Sequence, residues 1–255
     1  MALRLFNRIQ AKSLLLASAL TVISCLYALS GDGGALYAAA VKRELPVYSV
    51  NRSDNVISIS FDASWGSEQT MQILDTLDEY GVKTTFFLVG LWLEKYPELV
   101  KEIAARGHEI GNHSATHAHF PQIGEQKKKV ELGIMSDMTE TLTGIRPTLF
   151  RAPYGDYDDK TVLVSRAEGY EIVQWSIDSL DWKGLSASDI VARCTKSFGS
   201  GDIVLFHNDA KHTAEALPQI LEKYQAAGLK IIPVSEILLT GETRIDHAGK
   251  QHAAS

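Results

Sequence analysis

Two histidines four residues apart, His113 and His117, carry the sharpest chemical signal in the chain. Two imidazoles at this spacing can meet one metal ion if the segment forms a helical turn or a tight loop. Neutral imidazole suits zinc and its first-row neighbours. The alternative is a polar loop with chance histidines, because His119 lies in the same stretch. The spacing alone leaves both interpretations open.

A single acid, Asp62, stands at the end of the apolar run 56–61. A carboxylate at the end of a buried strand costs free energy unless it is paired or takes part in chemistry. It could cap the following helix, but Ser64 or Ser67 can fill that role. A metal ion lowers the pKa of its bound water from 15.7 to about 7. Beside such an ion, Asp62 would take the proton of the water as general base.

Other side chains suited to the same reaction follow later strands. Arg151 would hold Asp62 in its charged, oriented form, and Asp178 would hold Arg151 in turn. His207 would protonate a leaving group. Two aromatic side chains offer flat surfaces suited to a sugar or a peptide: Tyr154 and Trp182. Together these residues predict metal-assisted hydrolysis of an acyl bond.

The elements that must position these residues alternate between short apolar strands and amphipathic helices. The strands are predicted at 56–61, 84–89, 109–111, 148–150, 171–175, 202–206 and 230–233. The helices are predicted at 67–80, 91–106, 125–142, 158–168, 187–198, 213–227 and 235–239. Four glycines stand where a helix would end: Gly81, Gly107, Gly169 and Gly228.

Repeated βα units imply a parallel sheet with right-handed crossovers. About seven such units predict an α/β fold with a closed or nearly closed barrel, and an open doubly wound sheet is the alternative. No G-x-G-x-x-G motif follows a predicted strand, so nothing in the sequence indicates a dinucleotide. In both folds, functional groups gather at the carboxyl ends of the strands, where the residues above lie.

The composition argues against several classes of partner. The chain has 255 residues, of which 45% are hydrophobic and 22% are charged, and its formal net charge is −6. An acidic chain argues against nucleic acid, because phosphate binding needs a basic face. The basic run 127–129 falls in a predicted helix and is interpreted as a solvated face. No feature of the sequence indicates an oligomeric state.

The first 40 residues have the plan of an export signal. Three basic residues, Arg4, Arg8 and Lys12, precede the apolar stretch 14–29, and small residues follow. That stretch is short for a membrane helix, which needs about 20 apolar residues. An uncleaved anchor and a lipoprotein signal ending before Cys25 are the alternatives. All three place the rest of the chain outside the cytoplasm and confine membrane contact to this segment.

The rest of the chain is expected to consist of a linker at 41–54, one domain at 55–240 and a polar, weakly ordered tail at 241–255. Cys194 would then be the single thiol of the domain, so no internal disulfide can form. It lies in a predicted helix and is expected to be a small buried hydrophobic residue. A domain of this length can be stable through its core alone.

Taken in order, the motifs of this chain resemble those of the polysaccharide deacetylases of carbohydrate esterase family 4, the NodB-homology domain. The motifs are SFDA at 60–63, HSATH at 113–117, RAPY at 151–154, DSLDW at 178–182 and LFH at 205–207. The resemblance spans about residues 55 to 239. It implies a distorted (β/α)7 barrel that removes N- or O-acetyl groups from glycans with a divalent metal. Zinc is the metal implied first, with cobalt or another first-row metal as alternatives.

The resemblance also implies a role for each matched residue. The implied catalytic residues are Asp62 as base, Arg151 with its partner Asp178 to orient that base, and His207 as general acid. The implied metal ligands are His113 and His117. The implied substrate-binding residues are Tyr154, which gives a backbone N–H to the oxyanion site, and the acetyl-pocket walls Trp182 and Leu205.

The FDASWG form and the stretch HTAEALPQI at 212–220 resemble sporulation and cell-wall deacetylases of Gram-positive spore formers. This implies peptidoglycan as the glycan partner. Hydrolysis of a small cyclic amide is a further interpretation, which the export signal disfavours.

One position departs from the pattern of the family. The second acid of the first motif is the third metal ligand in the family, and here it is Ala63, whose methyl cannot coordinate. Substitute oxygens would have to come from Asp62, Asn112, Glu68 or water. The alternative function is therefore a non-catalytic barrel that binds glycan.

Overall fold

The computed structural model describes residues 43–254, together with Ser18, Leu20, Thr21 and Ser24. Apart from those four residues, the predicted export signal lies outside the described part of the chain. The chain divides into two compact units, Met1–Arg43 and Glu44–Ser255, and the second contains the fold described below. Among the residues that the structure describes, no helix combines the length and the apolar character needed to cross a membrane.

Within residues 43–254 the strands form two sheets. The small sheet contains β1 (Ser49–Val50), β10 (Thr243–Ile245) and β11 (Lys250–Ala253). The large sheet contains β2 (Val56–Ala63), β3 (Thr85–Leu88), β4 (Glu109–Asn112), β5 (Leu149–Phe150), β6 (Glu171–Ile172), β7 (Ile177–Asp178), β8 (Ile203–His207) and β9 (Lys230–Ile231). Seven of these run in the order β6-β5-β4-β3-β2-β8-β7, and β9 pairs with the start of β2. The pairs are parallel. The strands also follow one cyclic chain order, with the consecutive strands β6 and β7 at the two ends, so the predicted distorted (β/α)7 barrel is confirmed and the open doubly wound sheet is not.

Eight α-helices connect these strands within residues 43–254. They are α1 (Thr70–Glu79), α2 (Gly90–Lys95), α3 (Pro97–Ala105), α4 (Glu125–Thr143), α5 (Asp159–Ala167), α6 (Ala187–Thr195), α7 (Thr213–Ala226) and α8 (Val234–Ile237). The predicted helix 91–106 is two helices, because Pro97 has no N–H with which to continue α2 and instead begins α3. The predicted strand 171–175 ends at Ile172, and the chain turns before β7.

The central strand β2 separates the hydrophobic core from the inside of the barrel. Its odd-numbered residues, Ile57 to Ala63, are fully buried in the main cluster between the sheet and the helices. Side chains alternate along a strand, so the even-numbered residues, Ser58 to Asp62, face the barrel interior. Asp62 lies in register with His207 on β8. The sheet therefore brings the carboxylate and this imidazole to the same face of two adjacent strands.

Residues 47–50, which were expected to belong to a linker, are part of the barrel wall. The N–H of Val47 donates to the carbonyl of Ile172, and the carbonyl of Val47 accepts from Gln174, at 2.9 and 2.7 Å. The N–H of Val50 donates to the carbonyl of Gly201 at 2.8 Å. These residues bridge β6 to the start of β8, and both valines are buried. The domain therefore begins before residue 55.

The prediction of a weakly ordered tail at 241–255 is wrong for the residues that the structure describes there. β10 and β11 form an antiparallel hairpin, and β11 pairs in parallel with β1. The turn is closed by Asp246, whose Oδ1 accepts from the N–H groups of Ala248 and Lys250. Composition does not reveal the pairing of β11 with β1, because β1 lies some 200 residues earlier in the chain.

Two local predictions are confirmed. The glycines placed at helix ends, Gly81, Gly107, Gly169 and Gly228, all have the positive φ that a left-handed cap requires. Cys194 is fully buried in the main cluster, and burial raises the pKa of its thiol to about 12. The thiol is therefore a packing group and not a reactive one.

Candidate active site

Asp62, the penultimate residue of β2, is 5% exposed and forms a buried ion pair with Arg151. Nη1 of Arg151 donates to Oδ1 of Asp62 at 2.7 Å, and Nη2 donates to the main-chain carbonyl of Gln174 at 3.1 Å. Burial opposes the charge on Asp62, but the Arg151 guanidinium together with His113 and His207 outweighs it, and the pKa of the carboxyl lies below its usual range. The contact with Arg151 that the sequence predicts is present, and it holds the carboxylate charged and oriented.

The Arg151 guanidinium lies over two aromatic rings, those of Phe87 and Trp175. Its central carbon lies 4.0 Å from the ring centroid of Phe87 and 5.6 Å from that of Trp175. Phe87 is in register with Gly111 on β4, and a Cβ placed on Gly111 would lie 2.4 Å from the Phe87 ring. Gly111 thus leaves the space that this ring occupies beneath the guanidinium.

Gly111→Ala is expected to disturb the Asp62–Arg151 ion pair indirectly, through the ring of Phe87. The new methyl would displace the Phe87 ring, since real Cβ atoms do not approach others within 3.0 Å. We expect a loss of about 1–3 kcal/mol in unfolding free energy, as for other overpacked cores. Urea denaturation measures this loss. Gly133→Ala is the matched control, because its new Cβ meets nothing within 4 Å. Equal stability of the two variants would contradict this account of Gly111.

The two histidines lie where β4 ends and the following loop turns. Their ring centroids are 5.0 Å apart. Nδ1 of His113 lies 2.7 Å from the carbonyl oxygen of Arg151, and a carbonyl can only accept, so Nδ1 carries the proton. Nε2 of His113 then presents a lone pair 3.4 Å from Oδ2 of Asp62. Two acceptor atoms face each other here without a shared proton, which is an arrangement that suits a cation.

The donor chemistry of the site fits a divalent metal, but the number of ligands is one short. Burial lowers the pKa of His113 and lowers that of His117 to about 3, so both imidazoles are neutral, as a metal ligand must be. Nδ1 of His117 is buried and has no hydrogen-bond partner in the described part of the chain. No three His, Cys, Asp or Glu side chains of the described residues are grouped as a complete metal site.

The residue in the position of the third ligand, Ala63, faces away from the histidines. Its methyl is fully buried in the main cluster, as is its register partner Leu88. The next residue in register, Asn112, donates from its amide nitrogen to α4, and its side-chain oxygen accepts from the N–H of Ser114 at 2.8 Å. Glu68 is exposed and does not line the cleft. Of the side-chain oxygens considered as substitutes, that of Asp62 is the one beside His113.

His207, the last residue of β8, is joined to a buried carboxylate. Its Nδ1 lies 2.7 Å from Oδ1 of Asp181, and its main-chain N–H donates to Oδ2 of Asp181 at 2.8 Å. Thr213 donates to the same Oδ2 at 2.6 Å. Burial lowers the pKa of His207, but the hydrogen bond and charge of Asp181 outweigh it, so the pKa is raised. The imidazole therefore holds a proton that it can give.

The predicted contact between Asp178 and Arg151 is not formed: the two side chains have other partners. Oδ1 of Asp178 accepts from the N–H of Leu180 at 2.9 Å, and its carbonyl accepts from Arg193. The Arg151 guanidinium bonds instead to Asp62 and to the carbonyl of Gln174. The reason is the turn after Ile172, which brings Gln174 to Arg151 and moves Asp178 to the edge strand. Asp178 still lines the cleft.

One cleft of about 730 Å³ lies at the carboxyl ends of the strands, and six of these residues line it: Asp62, His113, His117, Asp178, Asp181 and His207. Leu205 lies on its wall, and three exposed aromatic side chains stand around it: Trp65, Tyr154 and Trp182. Sequence reasoning gave no role to Trp65 or Asp181. Asp181 is the second acid of the DSLDW motif, and that was the signal that could have indicated it. Its contact with His207 could not be predicted, because it depends on the position of β8.

Comparison with known proteins agrees with this geometry. The profile of the polysaccharide deacetylase family matches residues 49–173. A peptidoglycan-N-acetylglucosamine deacetylase of Bacillus cereus is 34% identical over 196 residues, which are 75% of this chain and 92% of that relative. This chain belongs to the polysaccharide deacetylase family.

Other members of the family differ in substrate and in activity. A peptidoglycan-N-acetylmuramic acid deacetylase of Bacillus subtilis is 31% identical over 189 residues, covering 74% of this chain and 40% of the relative. A solved protein of Bacillus anthracis, described as a pseudoenzyme of carbohydrate esterase family 4, has a TM-score of 0.73 and 28% identity. The match covers 75% of this chain and 68% of that protein. A mutant of it is described as having restored enzymatic activity.

Proposed function

We propose that the protein is a metal-dependent hydrolase that removes N-acetyl groups from a cell-wall glycan, peptidoglycan first, outside the cytoplasm. The observation that supports this most is the pairing of Asp62 and His207 in register on adjacent strands. One is a carboxylate whose pKa is lowered, and the other is an imidazole whose pKa is raised. A general base and a general acid on one cleft are what acyl hydrolysis needs. The family and the named activities of its members support the substrate class.

In the proposed reaction, Asp62 takes a proton from a water molecule as the water oxygen bonds to the acetyl carbon. Arg151 keeps Asp62 ionised and aimed during this step. His207 then gives its proton to the amide nitrogen as the C–N bond breaks, which leaves acetate and a free amine on the sugar. Trp182 and Leu205 enclose the acetyl methyl. A divalent ion held by His113 and His117 would supply Lewis acidity at the acetyl oxygen.

Asp181→Asn is expected to move the alkaline limb of the pH profile to lower pH. The acid must be protonated, so activity falls as pH rises through the pKa of His207. Asp181 raises that pKa, and an amide removes the charge while burial continues to lower it. The measurement is kcat/KM for acetate release against pH.

Thr213→Val is the matched control for that measurement. It removes one hydrogen bond to Asp181 and leaves the charge in place. The alkaline limb of Thr213→Val is therefore expected to shift less than that of Asp181→Asn. If the alkaline limb of the pH profile does not move in Asp181→Asn, Asp181 does not raise the pKa of the general acid.

The proposal is tested by acetate release from defined glycans. Purified protein would be incubated with peptidoglycan fragments, chitin oligomers and acetylxylan, with added zinc or cobalt and with chelator. We expect acetate and new free amines from the N-acetylated glycans, peptidoglycan fragments most of all, and none with chelator. Absence of acetate from all three glycans in the presence of metal would overturn the proposal.

A second candidate function is a glycan-binding barrel without turnover. The observation in its favour is Ala63, whose methyl points into the core and leaves two imidazoles at the site. This candidate predicts glycan binding that is indifferent to chelator and unchanged in Asp62→Asn. Isothermal titration with peptidoglycan fragments distinguishes the two, because the hydrolase produces acetate during the titration.

A further inference from the structure

We propose that Glu131, on α4, is a positioning residue that fixes the loop 113–117 and with it the imidazole of His117. Glu131 is fully buried, and its carboxylate accepts two hydrogen bonds from Thr116. Oε2 accepts from the main-chain N–H of Thr116 at 2.8 Å, and Oε1 accepts from its hydroxyl at 2.9 Å. Nζ of Lys127 lies 3.0 Å from Oε1. A buried carboxylate costs free energy unless it is paired and hydrogen-bonded; here Lys127 is its ion-pair partner, and Thr116 on the loop donates two hydrogen bonds to it.

The loop that Glu131 holds is under backbone strain. Ser114 and His117 have φ values of 70° and 58°, in the left-handed region that non-glycine residues rarely adopt. Such residues cost about 1–3 kcal/mol each and persist when surrounding contacts over-determine them. The N–H of Ser114 donates to Asn112, and that of His117 donates to the hydroxyl of Ser114. The carbonyls of Ser114 and Ala115 accept from the first residues of α2.

Those contacts fix Ser114, Ala115 and the N–H of His117, and Glu131 fixes Thr116, the residue directly before His117. The two histidines differ in what fixes their rings. His113 is fixed by its own Nδ1, which donates to the carbonyl of Arg151. Nδ1 of His117 has no such partner in the described part of the chain. The His117 ring packs edge-on against Tyr154 and Trp65, with ring centroids 4.3 and 5.5 Å apart, but no hydrogen bond to Nδ1 fixes its direction. Its position therefore also depends on its backbone, and the residue before it is the one that Glu131 binds.

The consequence concerns the His113–His117 pair. Without the carboxylate, the N–H and hydroxyl of Thr116 lose their acceptors, and His117 can relax to a negative φ. That relaxation moves the His117 imidazole relative to that of His113. A pair that supplies two ligands has no spare ligand to compensate, so the affinity for a metal falls. This inference rests on the proposed role of the two histidines, but the order of the loop can be measured without any metal.

The test compares three variants on α4. Glu131→Ala removes both acceptors, and Glu131→Gln keeps an acceptor for the N–H and a donor for the hydroxyl of Thr116. Thr139→Val is the matched control, because Thr139 is a buried polar residue of the same helix that bonds to Met135 and not to the loop. It reports what a loss of stability alone does.

Amide hydrogen exchange at Thr116 and His117 in the metal-free protein is the first measurement. We expect exchange to be at least about tenfold faster in Glu131→Ala, near the wild-type rate in Glu131→Gln, and unchanged in Thr139→Val. Zinc affinity, measured by competition with a chromogenic chelator, is the second. We expect it to be about tenfold weaker in Glu131→Ala, as for outer-shell partners in metal sites, with rescue in Glu131→Gln.

Either of two results overturns the inference. One is wild-type exchange at Thr116 and His117 in Glu131→Ala. The other is an equal effect of Thr139→Val on either measurement. If neither zinc nor cobalt binds to any form of the protein, the wild type included, the proposed hydrolase fails, and the exchange rates still decide the role of Glu131.

Discussion

Asp62→Asn is expected to lower the rate of acetate release by about 10³-fold, within the range by which a positioned general base accelerates a reaction. The amide has the shape of the carboxylate but cannot take the proton of the attacking water. KM should change little, because Asp62 is proposed to act on the water and not on the sugar. Steady-state kinetics on peptidoglycan fragments measures both constants.

The same change should also destabilise the fold, since it leaves the fully buried Arg151 without its counter-ion. Breaking a buried pair by removing one partner costs about 3–5 kcal/mol. The pKa of Asp62 is lowered in the folded state, so its stabilising contribution is present at neutral pH and is lost as pH falls through that pKa. The stability difference between wild type and variant should therefore shrink on acidification.

A double variant separates the chemistry from the stability. In Asp62→Asn with Arg151→Met, both charges are gone, and unfolding free energy should recover much of the loss. Activity should remain absent, because the base is still missing. Recovery of acetate release in the double variant would show that Asp62 acts through the fold alone. A loss of zinc affinity in Asp62→Asn as large as the loss of rate would show instead that Asp62 is a metal ligand.

Ala63→Asp is expected to tighten zinc binding by about tenfold or more while it destabilises the metal-free protein. In the present backbone, position 63 lies in the apolar cluster with Leu88, so a carboxylate there is costly unless it turns toward His113. Metal binding would favour that turn. Because a ligand stabilises the state that binds it, added zinc should raise the Tm of Ala63→Asp more than that of the wild type.

Ala63→Asn is the matched control, since it has the same shape but brings no anionic ligand. It should be destabilised like Ala63→Asp and should show little of the gain in zinc affinity. Differential scanning calorimetry with and without zinc, together with chelator competition, measures both effects. Unchanged zinc affinity in Ala63→Asp would mean that another group already fills the position, or that β2 does not let the side chain turn inward.

The sequence was sufficient for most of the large sheet. Short apolar runs separated by amphipathic helices are local signals, and the four capping glycines marked the ends of α1, α3, α5 and α7. The pairings of residues 47–50 with β6, with the start of β8 and with β11 could not be read in the same way. They join segments from opposite ends of the domain, and no local pattern reports a contact over such a separation.

In the candidate site, too, the sequence predicted which residues take part but not all of their contacts. Motif order placed Asp62, Arg151 and His207 on one rim. The structure brings Asp62 and His207 to one cleft, and Arg151 is fully buried and bonded to Asp62. The partners of these residues depended on turns. The chain turns after Ile172, so Arg151 meets the carbonyl of Gln174 and not Asp178. Ala63 shows the limit most directly: its identity signals a missing ligand, but the face on which it lies depends on strand register.

The central claim is that two imidazoles, a charged base and a protonated acid suffice for metal-dependent deacetylation in this chain. The most direct test is to strip the purified wild-type protein of metal and titrate zinc while following acetate release from peptidoglycan fragments. We expect no acetate without metal, and release that rises with zinc to a plateau. If fragments bind but release no acetate at any zinc concentration, the claim is contradicted, and the result supports the second candidate function, a glycan-binding barrel without turnover.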